Sequence, residues 1–166
     1  HYQDPDNKLR PVVIDFDNLD EYQGYFSVDH VYCCLGTTLK KAGDISAFRK
    51  VDFEYIHVAA QLARAQRAGG FVWISSVGAN AKSKNYYLRV KGELENAIMR
   101  MPQLPNAAAV RPGVLIGERA NDNRPLERVG ASIMQLLKPL LVGRLKKYRA
   151  VYPHQVAREM MRHQTF

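Results

Sequence analysis

Phe71-Val72-Trp73-Ile74-Ser75-Ser76 is an apolar run that ends on two hydroxyls, and a small-residue loop behind it leads to Tyr86-Tyr87-Leu88-Arg89-Val90-Lys91. The run is short, rich in aromatic and β-branched residues and preceded by Gly69-Gly70, which reads as a strand. Tyr86 to Met101 repeats apolar residues at helical spacing, with Val90, Leu94, Ala97 and Ile98 on the inward face, and Pro102 and Pro105 close it. A strand, a loop and a long helix in that order form one step of an alternating α/β chain.

The same rhythm extends in both directions. Upstream, Val51 to Arg67 reads as a helix with Phe53, Ile56, Ala60 and Ala63 on one face and Gly69-Gly70 as its stop. Before it, Lys40 to Ser46 reads as a loop, and His30-Val31-Tyr32-Cys33-Cys34-Leu35 as a strand halted by Gly36-Thr37-Thr38. Val12 to Phe16, after Pro11, reads as a further strand, with Asn18 to Tyr25 a short helix or turn. Downstream, Ala107 to Arg111 is a strand broken at Pro112-Gly113, and Val114 to Ile116 continues it. Residues 118–128 are a polar loop, Val129 to Leu141 a helix interrupted at Pro139, Tyr148 to Tyr152 an edge strand, and Pro153 to Arg162 a helix with proline in its first turn. Continuous apolar strands suit a parallel sheet covered on both faces. The expected fold is therefore α/β, a doubly wound parallel sheet in one domain spanning residues 1–166.

Composition narrows the class. The 166 residues are 46% hydrophobic and 24% charged, ordinary for a folded domain. No apolar run approaches the roughly 20 residues of a membrane span. The formal charge is +8 and uneven: acids dominate residues 1–30 and bases dominate residues 138–166. No aromatic–basic module accompanies the bases, which disfavours nucleic acid as a partner. The two cysteines, Cys33 and Cys34, are adjacent and point to opposite faces of a strand, so they are not expected to pair with each other; without a disulfide framework the compartment reads as reducing and cytoplasmic, and both are read as small core residues. The five histidines, His57 among them, have no second ligand at metal spacing, and no metal site is expected.

Chemistry concentrates where the Phe71 strand ends, because ligands of open α/β sheets bind at the carboxyl ends of the strands. Tyr87 and Lys91 are four residues apart and share a helix face. A phenol titrates near 10, and a neighbouring ammonium stabilises its phenolate. With a serine hydroxyl on the same substrate oxygen, such a pair can protonate a carbonyl as hydride arrives or deprotonate an alcohol as hydride leaves. Tyr86, whose i+4 residue is Val90, has no such partner. Asp52 reads as a helix-opening cap or first-turn charge, or as support for the site.

The Ser76, Tyr87 and Lys91 array resembles the catalytic set of the short-chain dehydrogenase/reductase superfamily. Cys33-Cys34-Leu35-Gly36-Thr37-Thr38, Lys41-Ala42-Gly43, Phe48-Arg49-Lys50-Val51-Asp52, Ser75-Ser76-Val77-Gly78-Ala79, Tyr87-Leu88-Arg89-Val90-Lys91-Gly92-Glu93-Leu94-Glu95 and Arg111-Pro112-Gly113-Val114-Leu115 narrow it. These blocks resemble the atypical branch of TIP30/CC3-like (HIV Tat-interacting protein 2-like) proteins and their bacterial relatives. The resemblance implies a Rossmann-like fold binding NADP(H) or NAD(H). It implies Ser76, Tyr87 and Lys91 as the catalytic set, with Ser75 the alternative to Ser76. It implies Asp15 and Phe16 beside the adenine, and Leu35, Gly36 and Thr37 under the ribose and phosphates. Pro112, Gly113, Val114 and Leu115 would lie along the nicotinamide, and Lys91 would also touch its ribose. The implied function is an NAD(P)-dependent oxidoreductase acting on a small carbonyl or alcohol. The alternative is a non-catalytic NADP(H)-binding regulatory or protein-interaction protein, and a monomer or a homodimer fits either.

One expected part has no counterpart. A Rossmann domain opens with a strand, a glycine-rich turn and a helix that together hold the pyrophosphate. Gly24 is isolated, Gly69-Gly70 follows a helix and precedes a strand, and Gly78 lies in the serine loop. In the strand order 3-2-1-4-5-6, Val12–Phe16 would be strand 3 and His30–Leu35 strand 4, with strands 1 and 2 missing between them. The expectation is a chain lacking its N-terminal βαβ part, roughly 40 residues by comparison with the resembled family.

Overall fold

The computed structural model describes residues 8–113 and 151–163. The expected strand at Val114–Ile116, the loop at 118–128, the helix at 129–141 and the start of the strand at 148–152 lie outside the described residues. Three parallel strands form the sheet: β1 (His30–Cys33), β2 (Gly70–Ile74) and β3 (Ala107–Val110), in the order β1-β2-β3. Val31 pairs with Phe71, and Phe71 with Ala107, so the carboxyl ends of all three strands share one edge.

Helices cover both faces. α1 (Leu39–Ala42) and α2 (Ile45–Arg49) follow β1, and a π turn (Lys50–Glu54) joins α2 to α3 (Tyr55–Ala65). α4 (Tyr86–Met99) lies between β2 and β3, and α5 (Pro153–Met161) closes the described chain. Successive strand residues face opposite sides. Phe71 and Trp73 therefore pack with Ile56, Ala60, Ala63, Leu94 and Ile98 of α3 and α4. Val72 and Val110 pack with Val156 and Met160 of α5. This is a parallel sheet with helices on both faces, the Rossmann-like α/β arrangement expected.

Three local expectations change. Val12–Asp15 forms no strand, and Val12 and Val13 are exposed. Strand composition does not by itself hold a strand, whose backbone groups need a partner, and the described sheet consists of β1, β2 and β3 without this segment. Instead, Asp15 accepts from the Asp17 amide and caps a 3-10 helix over Phe16–Phe26, which kinks at Asn18. Residues 40–46 are not a loop: Thr38 and Asp44 cap α1 and α2 in turn, accepting from the amides of Lys41 and Ala47. Finally, α3 is stopped before its glycines. Arg67 takes a left-handed φ of 58°, the Ala68 amide bonds to Ala63 O and the Arg67 amide to Arg64 O. That pair of bonds is a Schellman closure built without glycine.

Candidate functional site

Three connections leave the carboxyl edge of the sheet side by side. They are Cys34–Thr38 after β1, Ser75–Asn85 after β2 and Arg111–Gly113 after β3. The last two are stitched together, as the Ser75 amide bonds to Val110 O at 2.8 Å and the Val77 amide to Pro112 O at 3.1 Å.

Helix α4 starts above this edge. Asn85 caps it, its side chain accepting from the Leu88 amide. The serine loop then returns to the helix: the Asn80 amide bonds to Leu88 O at 3.0 Å. This contact requires Gly92. A Cβ there would stand 2.3 Å from Ala81 N and from Asn80 C, so loop backbone occupies the place of the side chain.

The two serines separate clearly. Ser75 is buried and donates its hydroxyl to Glu95 Oε1. Glu95, buried on α4, also accepts from Arg111 through Nε at 2.8 Å and through Nη2. Ser75 is thus spent on a tie between β2, α4 and the end of β3. Ser76 is half-buried, and among the described residues its hydroxyl makes only a 3.4 Å contact with the neighbouring Val77 O, long for such a bond. Of the two hydroxyls, Ser76 is the one left available.

Tyr87 is half-buried, its ring 5.9 Å from that of the buried Phe48. Tyr86 meets the same Phe48 ring from 6.0 Å and carries the Arg89 guanidinium over its face. Lys91 leaves solvent altogether. Its ammonium lies 2.8 Å from Asp52 Oδ1, the two side chains being 4% and 1% exposed, and donates to Ile74 O at 3.4 Å. The Asp52 contact is an ion pair whose angle falls short of a good hydrogen bond, leaving Oδ1 without one. The other oxygen, Oδ2, accepts from the Thr37 amide at 2.8 Å.

Asp52 is the member of this group that reading for motifs undervalued. It does not open a helix but sits in the π turn in mid-helix, wholly buried. Phe48, Asp52 and Ile56 are all buried and recur every four residues, a spacing that the wider π turn keeps on one face. A carboxylate in register with two core apolar residues was the available signal.

Gly36 completes the group. A Cβ there would be 3.5 Å from Asp52 Oδ1 and 3.8 Å from Lys91 Nζ, so bare backbone passes directly over the ion pair. This cradle, with a buried cation beside small residues, fits the ribose–phosphate part of a dinucleotide. Leu35 packs against the core, and Thr37 is half-buried. Asp15 caps the 3-10 helix after it, and Phe16 packs against the same core as Leu35. The Phe16 ring lies 5.4 Å from that of Tyr55 and tilted to it by 33°, and Asp17 beside it pairs with Lys50 at 2.6 Å and accepts from the Tyr55 hydroxyl. Those partners hold the Asp17 carboxyl below its ordinary range. Pro112 and Gly113 are half-buried beside Val77, while Val114 and Leu115 lie outside the described residues.

Cys33 is buried, and burial pushes its thiol up to about 11. Cys34 is exposed, 3.9 Å from Met160. This corrects the reading of both cysteines as core residues: alternation along the strand puts only Cys33 inside. Among the described residues, no group of His, Cys, Asp and Glu could hold a metal, and no helix is long and apolar enough to cross a membrane.

No protein-family model matches the chain. Curated relatives do. The chain is 40% identical over 122 residues to Protein HTATIP2 of Rattus norvegicus, covering 73% of this chain and 49% of that protein. It is 35% identical over 127 residues to Protein FMP52-1, mitochondrial, of Scheffersomyces stipitis, covering 76% and 53%. It is 35% identical over 111 residues to Protein FMP52, mitochondrial, of Candida albicans, covering 67% and 46%. The chain spans about half the length of the curated relatives it matches. Alignment of most of its residues at these identities makes the chain a homologue of HTATIP2 and the FMP52 proteins, which matches its resemblance to the TIP30-like atypical short-chain dehydrogenase/reductase branch.

Proposed function

We propose that this chain carries the catalytic side of an NAD(P)-dependent oxidoreductase that interconverts a small carbonyl compound and its alcohol. The observation that carries this reading is Lys91, held buried against the Gly36–Thr37 turn at the carboxyl edge of a parallel sheet, one helical turn from Tyr87. Lys91, Leu35, Gly36 and Thr37 would hold the dinucleotide, with Pro112, Gly113, Val114 and Leu115 beside the nicotinamide and Asp15 and Phe16 beside the adenine. NADP(H) or NAD(H), when bound, supplies or accepts the hydride.

The residues of the chain do the rest. Tyr87 gives its phenolic proton to the carbonyl oxygen, or takes one from the alcohol in reverse. Ser76 donates a hydrogen bond to the same oxygen and fixes its direction. Lys91 supplies positive charge next to the phenol and steadies the developing phenolate. The Ser75–Glu95–Arg111 tie, buried at Ser75 and Glu95 and exposed at Arg111, keeps the ends of β2 and β3 in place beneath them.

The test is Tyr87→Phe in purified protein, with NADPH and NADH, a panel of small aldehydes and ketones, and cofactor affinity read by nucleotide fluorescence. Loss of a positioned proton donor lowers turnover by about 10²- to 10⁴-fold and leaves affinity unchanged. Undiminished turnover would remove Tyr87 from the role. One observation favours a second reading, a cofactor-binding regulator without turnover: the Lys91 charge is already met by Asp52. Wild-type protein that binds NADPH and oxidises it with no member of the panel is the outcome expected of the regulator.

A cytoplasmic location and the single domain over residues 1–166 are part of the same proposal. The FMP52 relatives carry the word mitochondrial in their names. Cell fractionation decides between the two compartments.

A further inference from the structure

Cations are unevenly placed about the sheet. The connections at its carboxyl edge, residues 34–43, 75–85 and 111–113, carry Lys40, Lys41, Lys82, Lys84 and Arg111 and no aspartate or glutamate. Those at the opposite edge, residues 27–29, 66–69 and 100–106, carry Arg67 and Arg100 with Asp29. Solubility asks for no such bias, since interspersed charges of both signs serve it. The excess lies on the edge where the ligands of an open α/β sheet bind.

Most of that charge is unspent. Arg111 is held by Glu95, and inside the site Lys91 is met by Asp52. Lys40, Lys41, Lys82 and Lys84 are exposed and form no ion pair among the described residues. They fall into two pairs. Lys40 and Lys41 stand on α1, which follows the Gly36–Thr37 cradle. Lys82 and Lys84 stand on the connection that supplies Ser76.

This second connection is a built turn. Asn80 Oδ1 accepts from the Lys82 amide at 2.8 Å, and Asn80 O from the Ser83 amide at 2.9 Å. Ser83 Oγ accepts from the Asn85 amide at 3.2 Å, and Ser83 O from Arg89 Nη1 at 3.4 Å. Ala81 rests against Gly92 of α4. Both lysines therefore leave a backbone that is tied to the helix bearing Tyr87, and a ligand has only their side chains left to order. An ammonium is a compact point charge on a flexible stem, suited to a carboxylate or phosphate that approaches from solvent.

We propose that the carbonyl substrate carries an anionic oxygen group, carboxylate or phosphate, and that Lys82 and Lys84 receive it at the rim of the site. This rests on the oxidoreductase reading above and names its substrate class. A dinucleotide is an anion too, and the division of the lysines between connections separates the two roles. Lys40 and Lys41 serve the cofactor side, and Lys82 and Lys84 the substrate side.

The probes are 4-carboxybenzaldehyde and its uncharged counterpart of similar shape, 4-formylbenzamide. kcat/KM for each is measured at saturating NADPH, at low salt and at about 0.5 M salt, where exposed charges are screened within a few Å. The proteins are wild type, Lys82→Gln/Lys84→Gln and Lys40→Gln/Lys41→Gln, with NADPH affinity read alongside. Wild type is expected to favour the carboxylate by about tenfold at low salt, the combined worth of two exposed ion pairs, and to lose most of that preference at high salt. Lys82→Gln/Lys84→Gln is expected to bring the ratio to within about twofold of unity with NADPH affinity nearly unchanged. Lys40→Gln/Lys41→Gln is expected to keep the ratio and to weaken NADPH by about threefold or more.

A wild-type preference for the amide overturns the proposal, as does a ratio indifferent to salt and to Lys82→Gln/Lys84→Gln. An unchanged ratio with weakened NADPH in that variant also overturns it, because the anion met by Lys82 and Lys84 is then the cofactor. Wild-type protein that binds NADPH and reduces no carbonyl defeats the oxidoreductase reading instead. The lysines are then tested by binding of terephthalate against terephthalamide to the NADPH-loaded protein, read by ligand-observed NMR. Tighter terephthalate binding that is lost in Lys82→Gln/Lys84→Gln supports the anion site, and equal binding of the two overturns it.

Discussion

Replacing Gly92 by alanine should destabilise the protein even though alanine is the better helix former. In the middle of a helix, glycine is worse than alanine by about 1 kcal/mol, so an open site would gain that much. Gly92 is not open. The new Cβ would sit 2.3 Å from Ala81 N and Asn80 C and 2.6 Å from Asn80 Cα. Carbon contacts are comfortable at about 3.5–4.0 Å, so helix and loop must part by about 1 Å or more. The obstacle is backbone, which has no rotamer with which to step aside. The loop is also tied to the helix by the Asn80 amide on Leu88 O, at 3.0 Å. Overpacking of this kind costs about 1–3 kcal/mol, and a backbone-on-backbone clash belongs at the upper end. Subtracting the propensity gain leaves a net loss of about 1–2 kcal/mol. Urea unfolding followed by circular dichroism measures it as a lower midpoint at constant slope. A Gly92→Ala protein that is more stable by about 1 kcal/mol would refute the reasoning, because propensity alone would then account for it and the loop could not be resting on α4.

Two further outcomes follow from the same geometry. Glu95→Ala strips the acceptor from the buried Ser75 hydroxyl and from Arg111, and should cost about 2–3 kcal/mol in denaturant unfolding, as expected for lost hydrogen bonds to a charged group and a buried donor left unpaired; a change under 0.5 kcal/mol (about the level of a neutral surface substitution) would count against the tie. Cys33 stays a thiol until the pH approaches 11, since burial disfavours its charged form. Alkylation of native protein near pH 8, mapped by mass spectrometry, should therefore modify exposed Cys34 and spare Cys33 until the protein is unfolded, and equal modification of both would contradict the burial of Cys33.

Much of the architecture was legible because it is local. The apolar runs at 30–35, 71–75 and 107–111 became β1, β2 and β3, and the spacing of Val90, Leu94 and Ile98 marked the buried face of α4. Proline acts on neighbouring backbone and carries its meaning in a few residues, whereas Thr38 and Asp44, equally local as caps, read in the sequence as the stop of a strand and a turn residue of a loop. Val12–Phe16 misled because it has strand composition but joins no strand of the described sheet, and composition does not report pairing. The end of α3 misled because Arg67, not glycine, takes the left-handed turn.

The amino-acid sequence by itself determined the alternating α/β order, the parallel sheet and the group of candidates around Ser75, Ser76, Tyr87 and Lys91. Those depend on periodicity and on spacing along one helix or one strand. Only the tertiary structure decided which serine is free, and what Lys91 touches. Ser75 is occupied by Glu95, twenty positions away, and Lys91 by Asp52, thirty-nine positions away across two helices. A side chain's partner is set by how helices seat on a sheet. A single π turn that rotates Asp52 inward is enough to change it, and no regularity of sequence spacing records that rotation.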